Sequence, residues 1–129
     1  MDYTQIKETC LYISDIEKAK TFYNGKLDMP VISIEDGRHI FFRCGSSVLL
    51  CFIPETTANE THLPPHFAHG KQHIAFEVKA ENYLKTKSSL LEKGIKITHE
   101  QDWMDGLKSI YFEDPFGHVL EIVPKGIWE

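Results

Sequence analysis

The sequence predicts an α+β fold of two similar modules, each consisting of one strand, one helix and three further strands. Alternating segments flank a segment of helical spacing in each half of the 129-residue chain. Each half also turns at an Asp-Gly pair, Asp36-Gly37 in the first and Asp105-Gly106 in the second. The order βαβββ is therefore predicted to occur twice.

The first module covers about residues 5–53. Residues 6–13 alternate in polarity and predict a strand. Ser14-Asp15 then offers a helix N-cap, and apolar residues recur at helical spacing up to about Leu27. Three short strands are predicted after this helix, at residues 31–34, 39–43 and 47–53.

The second module covers about residues 71–124. Its predicted strand at residues 72–78 is followed by a helix at residues 80–92 that ends at Lys93-Gly94. Three strands are predicted again, at residues 95–99, 108–113 and 118–123. The connection, residues 54–70, is rich in Pro, Thr, Asn and His without periodicity, which predicts a linker or a mobile loop over a site.

The composition favours one compact cytoplasmic domain over residues 1–129. A hydrophobic content of 42% can supply one core. The net charge is -5 without a basic stripe, which argues against nucleic acid or an anionic membrane as partner. No apolar run approaches the roughly 18 residues of a membrane span, and the first residues lack a signal-peptide pattern. The cysteines, Cys10, Cys44 and Cys51, are odd in number and form no C-x-x-C pair, which argues against a disulfide framework or structural zinc site.

The last predicted strand contains one acid in an apolar setting. It follows the turn Asp114-Pro115-Phe116-Gly117, and Val119, Glu121 and Val123 share one face. A buried carboxylate costs several kcal/mol, roughly, unless a cation or metal compensates it. Glu121 is therefore either a site residue or, alternatively, an outward-facing side chain paired with a lysine.

Aligning the two halves pairs further candidates with Glu121. Matching the strand-to-helix junctions places Glu8 opposite His73, and matching the last strands places Leu50 opposite Glu121. If the two sheets curl to face each other about a local two-fold axis, these four positions converge. Three of the four, Glu8, His73 and Glu121, are metal-binding residue types.

Three stretches of the sequence carry a resemblance to a known family. They are Leu11-Tyr12-Ile13-Ser14-Asp15, the strand of residues 73–78, and the run of residues 111–121 with its Asp-Pro-Phe-Gly-His turn. Together with the repeated module they resemble the vicinal oxygen chelate superfamily, which includes glyoxalase I, fosfomycin-resistance thiol transferases, extradiol dioxygenases and bleomycin-resistance proteins. The resemblance covers nearly the whole chain and implies a glyoxalase-like fold with curved mixed sheets around a cleft.

The resemblance also implies a metal site and a catalytic tyrosine. In the enzymes of this family a divalent metal is held at the positions of Glu8, His73 and Glu121, and sometimes by a fourth residue where Leu50 stands. Glu8 departs from the His or Gln that is usual at its position. One imidazole and two carboxylates suit Mn²⁺, Fe²⁺, Ni²⁺ or Zn²⁺. Tyr111 corresponds to a tyrosine beside the bound substrate, where its hydroxyl donates a hydrogen bond or a proton; the alternative is a core tyrosine.

Several other residues are weaker candidates. Trp103 and Trp128 would line the mouth of a pocket or simply pack near strand ends. Tyr12, on the face of Glu8 and Cys10, would contact a ligand or fill the sheet. The linker histidines would reach over a site or remain solvated; they are His62, His66 and His69.

Two function classes follow from the resemblance. The first is a metal-dependent enzyme of isomerase or lyase, thiol transferase or dioxygenase type, acting on a small substrate that chelates the metal through oxygen, with Tyr111 and Glu121 as catalytic residues. The second is a metal-free protein that binds a drug or another small molecule. A homodimer is expected in both cases, because a βαβββ sheet has an exposed edge that small members of the family cover by pairing.

Overall fold

The computed structural model of the protein describes all 129 residues. Eight strands are present: β1 Glu8–Tyr12, β2 Val31–Glu35, β3 His39–Cys44, β4 Ser47–Phe52, β5 His73–Val78, β6 His99–Asp102, β7 Lys108–Glu113 and β8 Val119–Pro124. Three α-helices are present: α1 Ile16–Ala19, α2 Pro54–Thr57 and α3 Tyr83–Glu92. Further turns of helix lie at Lys20–Lys26 (π), Ala80–Asn82 (3₁₀) and Met104–Gly106 (3₁₀).

The eight strands form two four-stranded mixed sheets with the same topology. The first sheet has the order β1-β4-β3-β2 and the second the order β5-β8-β7-β6. In each sheet the first and last strands of the module pair in parallel, and the other neighbours are antiparallel. The predicted α+β class with two βαβββ modules is confirmed.

The chain divides into two compact units, Met1–Gly70 and Lys71–Glu129. Residues 54–70 therefore belong to the first unit. That both modules form one domain stays a prediction. No helix of the chain has the length and apolar character needed to cross a membrane.

The back of the first sheet holds the core of the first unit. Leu11, Ile40 and Phe42 lie on this face and are fully buried, and Tyr23 from the adjoining helix packs against Phe42 with ring centroids 5.4 Å apart. The helix begins where predicted, because the Asp15 carboxylate accepts the backbone N–H of Lys18 at 2.9 Å.

The continuous α-helix predicted up to about Leu27 is wrong in type beyond Ala19. Lys20–Lys26 winds as a π-helix, and the backbone N–H of Leu27 donates to Phe22 five residues earlier at 3.0 Å. Phe22 and its neighbour Tyr23 are both buried. The wider winding rotates less per residue, which lets two consecutive aromatic rings face the core.

The linker is more ordered than its composition predicted. Its first four residues, Pro54–Thr57, form α2, and the side chain of Thr57 is fully buried. Arg38 Nε also donates to Glu60 Oε1 at 2.6 Å, which ties the segment to the β2–β3 hairpin. The prediction of irregular structure overlooked Pro54, which suits the first turn of a helix because it needs no N–H partner there.

The strand predicted at residues 95–99 is wrong. Ile95 is instead held by a hydrogen bond from its N–H to Leu90 at the end of α3, and β6 begins only at His99. The actual strand, His-Glu-Gln-Asp, is polar on both faces and so carries no alternation. Its place is set by pairing with β7, in which His99 lies opposite Tyr111.

Candidate metal-binding site

The second unit places three of the predicted site residues on one face of its sheet. Glu121 on β8 lies directly opposite Tyr111 on β7 and Ala75 on β5. His73 precedes Ala75 by two residues, so its side chain points to the same face. The rings of His73 and Tyr111 are nearly parallel, with centroids 6.0 Å apart. The sheet register therefore gathers an imidazole, a phenol and a carboxylate into one cluster.

Glu121 is a buried carboxylate whose hydrogen bonds are incomplete. The residue is 5% exposed, and its Oε1 has no hydrogen-bond partner in the chain. An unmet buried acceptor costs about 1–3 kcal/mol, more for a charged group. Because Glu121 is buried, the alternative of an outward-facing, exposed glutamate is excluded, and β8 is not an edge strand of its sheet. The chain leaves one oxygen of this carboxylate without a donor.

The hydrogen bonding of His73 fixes which ring nitrogen is available. Its Nδ1 lies 2.9 Å from the backbone carbonyl of Val119, and a carbonyl only accepts, so Nδ1 carries the hydrogen. In the neutral ring Nε2 then holds the lone pair. This nitrogen lies 3.4 Å from Glu121 Oε2. Two electron-rich atoms thus face each other and require a proton or a metal ion close to both.

Tyr111 completes the cluster. Burial raises the pKa of Tyr111, and so do its hydrogen bond to the Glu121 carboxylate and the charge of that group, while a hydrogen bond with Ser109 lowers it. The phenol therefore keeps its proton in the neutral range and remains a donor. Its ring also lies 5.7 Å from His99 on β6.

Glu8, the third predicted ligand, lies at the start of β1 in the first unit and is exposed. It pairs with Val48 on β4 as His73 pairs with Val119 on β8, so the observed registers give Glu8 and His73 equivalent positions. Burial and the charge of Glu8 raise the pKa of Cys10, two residues along the same face.

Comparison with known proteins assigns the family. The model of the Glyoxalase/Bleomycin resistance protein/Dioxygenase superfamily matches residues 5–122. This chain belongs to that superfamily. The fold and the family inferred from the resemblance are thereby confirmed, over nearly the whole length that the sequence motifs indicated.

Individual superfamily members show how far the similarity extends. The metallothiol transferase FosB of Staphylococcus epidermidis is 26% identical over 125 residues, which are 95% of this chain and 82% of that protein. The crystal structure of lactoylglutathione lyase from Agrobacterium tumefaciens is 28% identical, covers 98% of both chains and has a TM-score of 0.92. A superfamily protein from Nocardioides, 21% identical over 98% of this chain and 87% of that one, shares the fold with a TM-score of 0.73.

The pair formed by His73 and Glu121 fits a divalent metal ion of the kind the superfamily resemblance implies. Their 3.4 Å separation exceeds the usual hydrogen-bond range of about 2.7–3.2 Å. Two ligands each about 2.1 Å from a tetrahedral ion lie about 3.4 Å apart. The unpartnered Oε1 of Glu121 is a further available donor atom, and the Val119 carbonyl orients the imidazole as supporting groups do in metal sites.

The structure brings together two of the three predicted ligands. No group of three or more His, Cys, Asp or Glu side chains in the chain is arranged to hold a metal ion. His73 and Glu121 therefore form an observed pair, and Glu8 as the third ligand stays a prediction.

The weaker candidates fall into two places. His66 is the linker histidine that contacts the face of Glu8: its ring centroid lies 4.7 Å from Phe52 and 6.3 Å from Tyr12. His62 and His69 are exposed. In the second unit the two tryptophan rings lie 6.0 Å apart. A role of any of these residues toward a ligand stays a prediction.

Sequence reasoning missed Ser109. Its side chain is fully buried on β7 and contacts the cluster through Tyr111. The alternation of the strand could have found it, since Ser109 precedes Tyr111 by two residues and must share its face. The carbonyl of Val119, by contrast, left no signal in the sequence, because every residue carries such a group.

Proposed function

We propose that this protein is a divalent-metal-dependent enzyme of the superfamily that acts on a small substrate able to chelate the metal through oxygen. Glu8, His73 and Glu121 are the proposed ligands. The observation that supports the proposal is the lone-pair nitrogen of His73 facing a buried carboxylate that retains an unpartnered oxygen. When bound, the ion would supply charge stabilisation for an oxyanion that develops on the substrate.

The residues of the chain have separate proposed roles. His73 and Glu121 bind and orient, because the Val119 carbonyl fixes the ring of one and the sheet interior fixes the other. Tyr111 holds a proton at its hydroxyl, next to the carboxylate, and donates a hydrogen bond or that proton to a substrate oxygen. Glu8 adds a negative charge to the ligand set, which favours a hard ion such as Mn²⁺.

The reaction is proposed to be of isomerase or lyase, thiol transferase or dioxygenase type. Similarity to a metallothiol transferase and to a lactoylglutathione lyase supports the first two over the third. Three assays separate these types. Loss of free thiol from a mixture of cysteine and an epoxide would indicate thiol transfer. Isomerisation of a thiol–aldehyde adduct would indicate lyase chemistry, and oxygen uptake with a catechol would indicate ring cleavage.

Metal titration tests the proposal directly. Mn²⁺ and Zn²⁺ are titrated by calorimetry into chelator-treated wild-type protein and into the variants H73A, E8Q and E8H. We expect H73A to weaken the binding of both metals by more than about tenfold, since removal of a group that only supports a ligand already lowers metal affinity by about 10–100-fold. E8Q keeps the side-chain oxygen but removes the charge, so it should weaken Mn²⁺ binding. E8H should shift the metal preference toward Zn²⁺.

The matched control is E77Q. Glu77 lies on the same strand and face as His73 and is exposed, so its variant should reproduce the wild-type isotherm. Identical isotherms for wild type, E8Q and E8H would show that Glu8 is no ligand. The absence of binding to the wild type would support the second candidate, a metal-free small-molecule-binding protein, which is favoured by the half-exposed apolar residues Leu50 and Phe41 on the face of Glu8.

The protein is further proposed to be a cytoplasmic homodimer. Each sheet has two edge strands within its own unit, β1 and β2 in the first and β5 and β6 in the second, and such edges favour pairing with another chain. Sedimentation at micromolar concentration should show twice the chain mass of 14.9 kDa. A single species at 14.9 kDa would contradict the dimer.

A further inference from the structure

A second histidine, which is not among the proposed metal ligands, lies at the same end of the second sheet as His73. His118 comes directly before β8 and is 2% exposed. Its ring Nδ1 accepts the backbone N–H of Gln72 at 3.1 Å. A ring nitrogen that accepts holds a lone pair, so His118 is neutral and carries its ring hydrogen at Nε2. His73 and His118 therefore adopt opposite tautomers.

The turn before β8 fixes the position of His118. The buried carboxylate of Asp114 accepts the backbone N–H groups of Phe116 and His118, each at 2.9 Å. The N–H of Asp114 donates in return to the carbonyl of His118 at 3.1 Å. The Asp-Pro-Phe-Gly-His segment is thus closed on itself, and it presents the ring of His118 to the residue that precedes β5.

The residue that His118 holds is the direct neighbour of His73. Both backbone groups of Gln72 bind at this point: its N–H donates to the ring of His118, and its carbonyl accepts the N–H of Val119 at 2.8 Å. His73 follows and lies with Nδ1 2.9 Å from the carbonyl of Val119, to which it donates. Three hydrogen bonds therefore join Gln72-His73 to His118-Val119.

The position of β5 in the sheet explains why the ring of His118 matters. β8 begins only at Val119, so the backbone of β8 itself does not extend past the start of β5. β5 is also an edge strand, so within its unit β8 is the one strand that pairs with it. Strand ends with few partners are the first parts of a sheet to open. The ring nitrogen of His118 supplies an acceptor for Gln72 where the carbonyls of β8 have ended.

We propose that His118 is a positioning residue for the metal site, which holds the start of β5 against β8 through its Nδ1. With Gln72 held, His73 Nδ1 stays within reach of the Val119 carbonyl, and the lone pair of His73 Nε2 stays directed at Glu121, 3.4 Å away. This inference rests on the proposed function for its purpose, because His73 and Glu121 are proposed ligands, but not for its geometry. Groups that orient a ligating histidine change metal affinity by about 10–100-fold.

Nitrogen NMR of labelled, chelator-treated protein tests this geometry. At about pH 8.5, well above the ordinary imidazole pKa of about 6.5, the ring nitrogen shifts report which nitrogen carries the hydrogen. The protein has seven histidines, so the signals of His73 and His118 are assigned by their loss in H73A and H118N. In the wild type we expect a coupling across the hydrogen bond between the Gln72 amide nitrogen and His118 Nδ1. We also expect His73 to carry its hydrogen at Nδ1.

Three replacements of His118 separate its acceptor from its bulk. H118N keeps an oxygen acceptor close to the position of Nδ1, H118Q moves the acceptor one bond further out, and H118L removes it. We expect H118N to keep the wild-type tautomer of His73 and to bind Zn²⁺ nearly as tightly as the wild type. H118Q and H118L should shift His73 toward the Nε2–H form that a free imidazole favours, and should weaken Zn²⁺ binding by about tenfold.

I110A is the matched control for a loss of stability alone. Ile110 is fully buried on the opposite face of the second sheet, so this variant should lower Tm without changing the tautomer of His73. A wild-type tautomer in H118L would overturn the proposal, as would a shift in I110A or H118N as large as that in H118L. Absence of the Gln72 coupling in the wild type would also overturn it. If H118L does not fold, H118Q takes its place in each comparison.

The coupling and the tautomer are both measured without a metal. Absence of Zn²⁺ binding to the wild type would count against the metal-dependent function, but these two readouts would still decide the role of His118. A wild-type tautomer of His73 in H118L would conversely leave the metal proposal standing.

Discussion

The two sheets have the same strand order and the same register but opposite chemistry in one row of residues. Across the first sheet this row reads Cys10, Leu50, Phe41 and Ser33. Across the second sheet the equivalent row reads Ala75, Glu121, Tyr111 and His99. One copy of the module thus carries a half-exposed apolar row, and the other carries a buried acid with its phenol.

The other face of each sheet shows why this divergence is tolerated. Leu49 and Phe42 are paired in the first sheet as Leu120 and Phe112 are in the second, and all four are almost fully buried. These apolar pairs supply the burial that holds each sheet against its helix. The difference teaches that the back face specifies the fold, which leaves the front face free to carry a site in one module alone.

The largest effect is expected from giving the second sheet the apolar residue of the first. E121L should weaken Mn²⁺ binding by more than about tenfold, because it removes one of the proposed ligands outright. In metal-free protein the same change should raise the free energy of unfolding by about 1–2 kcal/mol, because a buried carboxylate with an unpartnered oxygen is replaced by an apolar group. Calorimetry with Mn²⁺ and urea unfolding in chelator measure the two effects.

The control for this prediction is E121Q. It removes the charge while keeping two polar atoms in the buried position. It should therefore weaken metal binding about as much as E121L but raise the free energy of unfolding less. If E121L is instead less stable than wild type in chelator, the protein already compensates the burial of Glu121, and its unpartnered Oε1 does not call for a ligand.

The converse exchange should have a smaller effect. L50E places a carboxylate between Cys10 and Phe41, in a sheet where Glu8 rather than a histidine occupies the position equivalent to His73. Leu50 is half-buried, so we expect a loss of about 1–3 kcal/mol in urea unfolding at neutral pH. L50Q, which is neutral and similar in size, should lose less; equal losses would show that packing rather than charge sets the cost.

The smallest effect concerns the tyrosines behind the two sheets. In the first unit Tyr23 packs on Phe42, whereas in the second the hydroxyl of Tyr83 is buried without a hydrogen-bond partner in the chain. Burial raises the pKa of Tyr83 to about 12, helped by the charges of Glu100 and Asp102. Y83F should therefore be more stable than wild type by up to about 1 kcal/mol at neutral pH, because an unmet polar group disappears.

The pH dependence gives this prediction a second readout. A folded-state pKa above the unfolded value of about 10 means that folding favours the neutral phenol. This contribution is fully present below about pH 10 and is lost as the pH rises toward 12. Wild type should therefore lose stability more steeply than Y83F between these values in urea unfolding. Parallel curves for the two proteins would contradict the assignment of this titration to Tyr83.

The sequence by itself determined the modules and most of their elements. Polar alternation located β1 and β7, the Asp15 cap began the first helix, and the two Asp-Gly pairs turned the chain. These signals are local: they depend on backbone preferences and on which neighbours along the chain share a face. For the same reason the alignment of the halves matched Glu8 with His73 and Leu50 with Glu121, as the observed registers do.

Only the tertiary structure decided what surrounds the candidate residues. The position of the polar strand β6 is set by pairing with β7. The π-helical winding is set by the burial of two adjacent aromatic rings. Which ring nitrogen of His73 keeps its lone pair depends on a carbonyl 46 residues away. The burial of Glu121 depends on the strands on either side of β8. Ser109 accepts a hydrogen bond from the indole of Trp103, which lies just beyond the end of the neighbouring strand. Such contacts join distant residues, and no pattern along the chain encodes which atoms they leave without a partner.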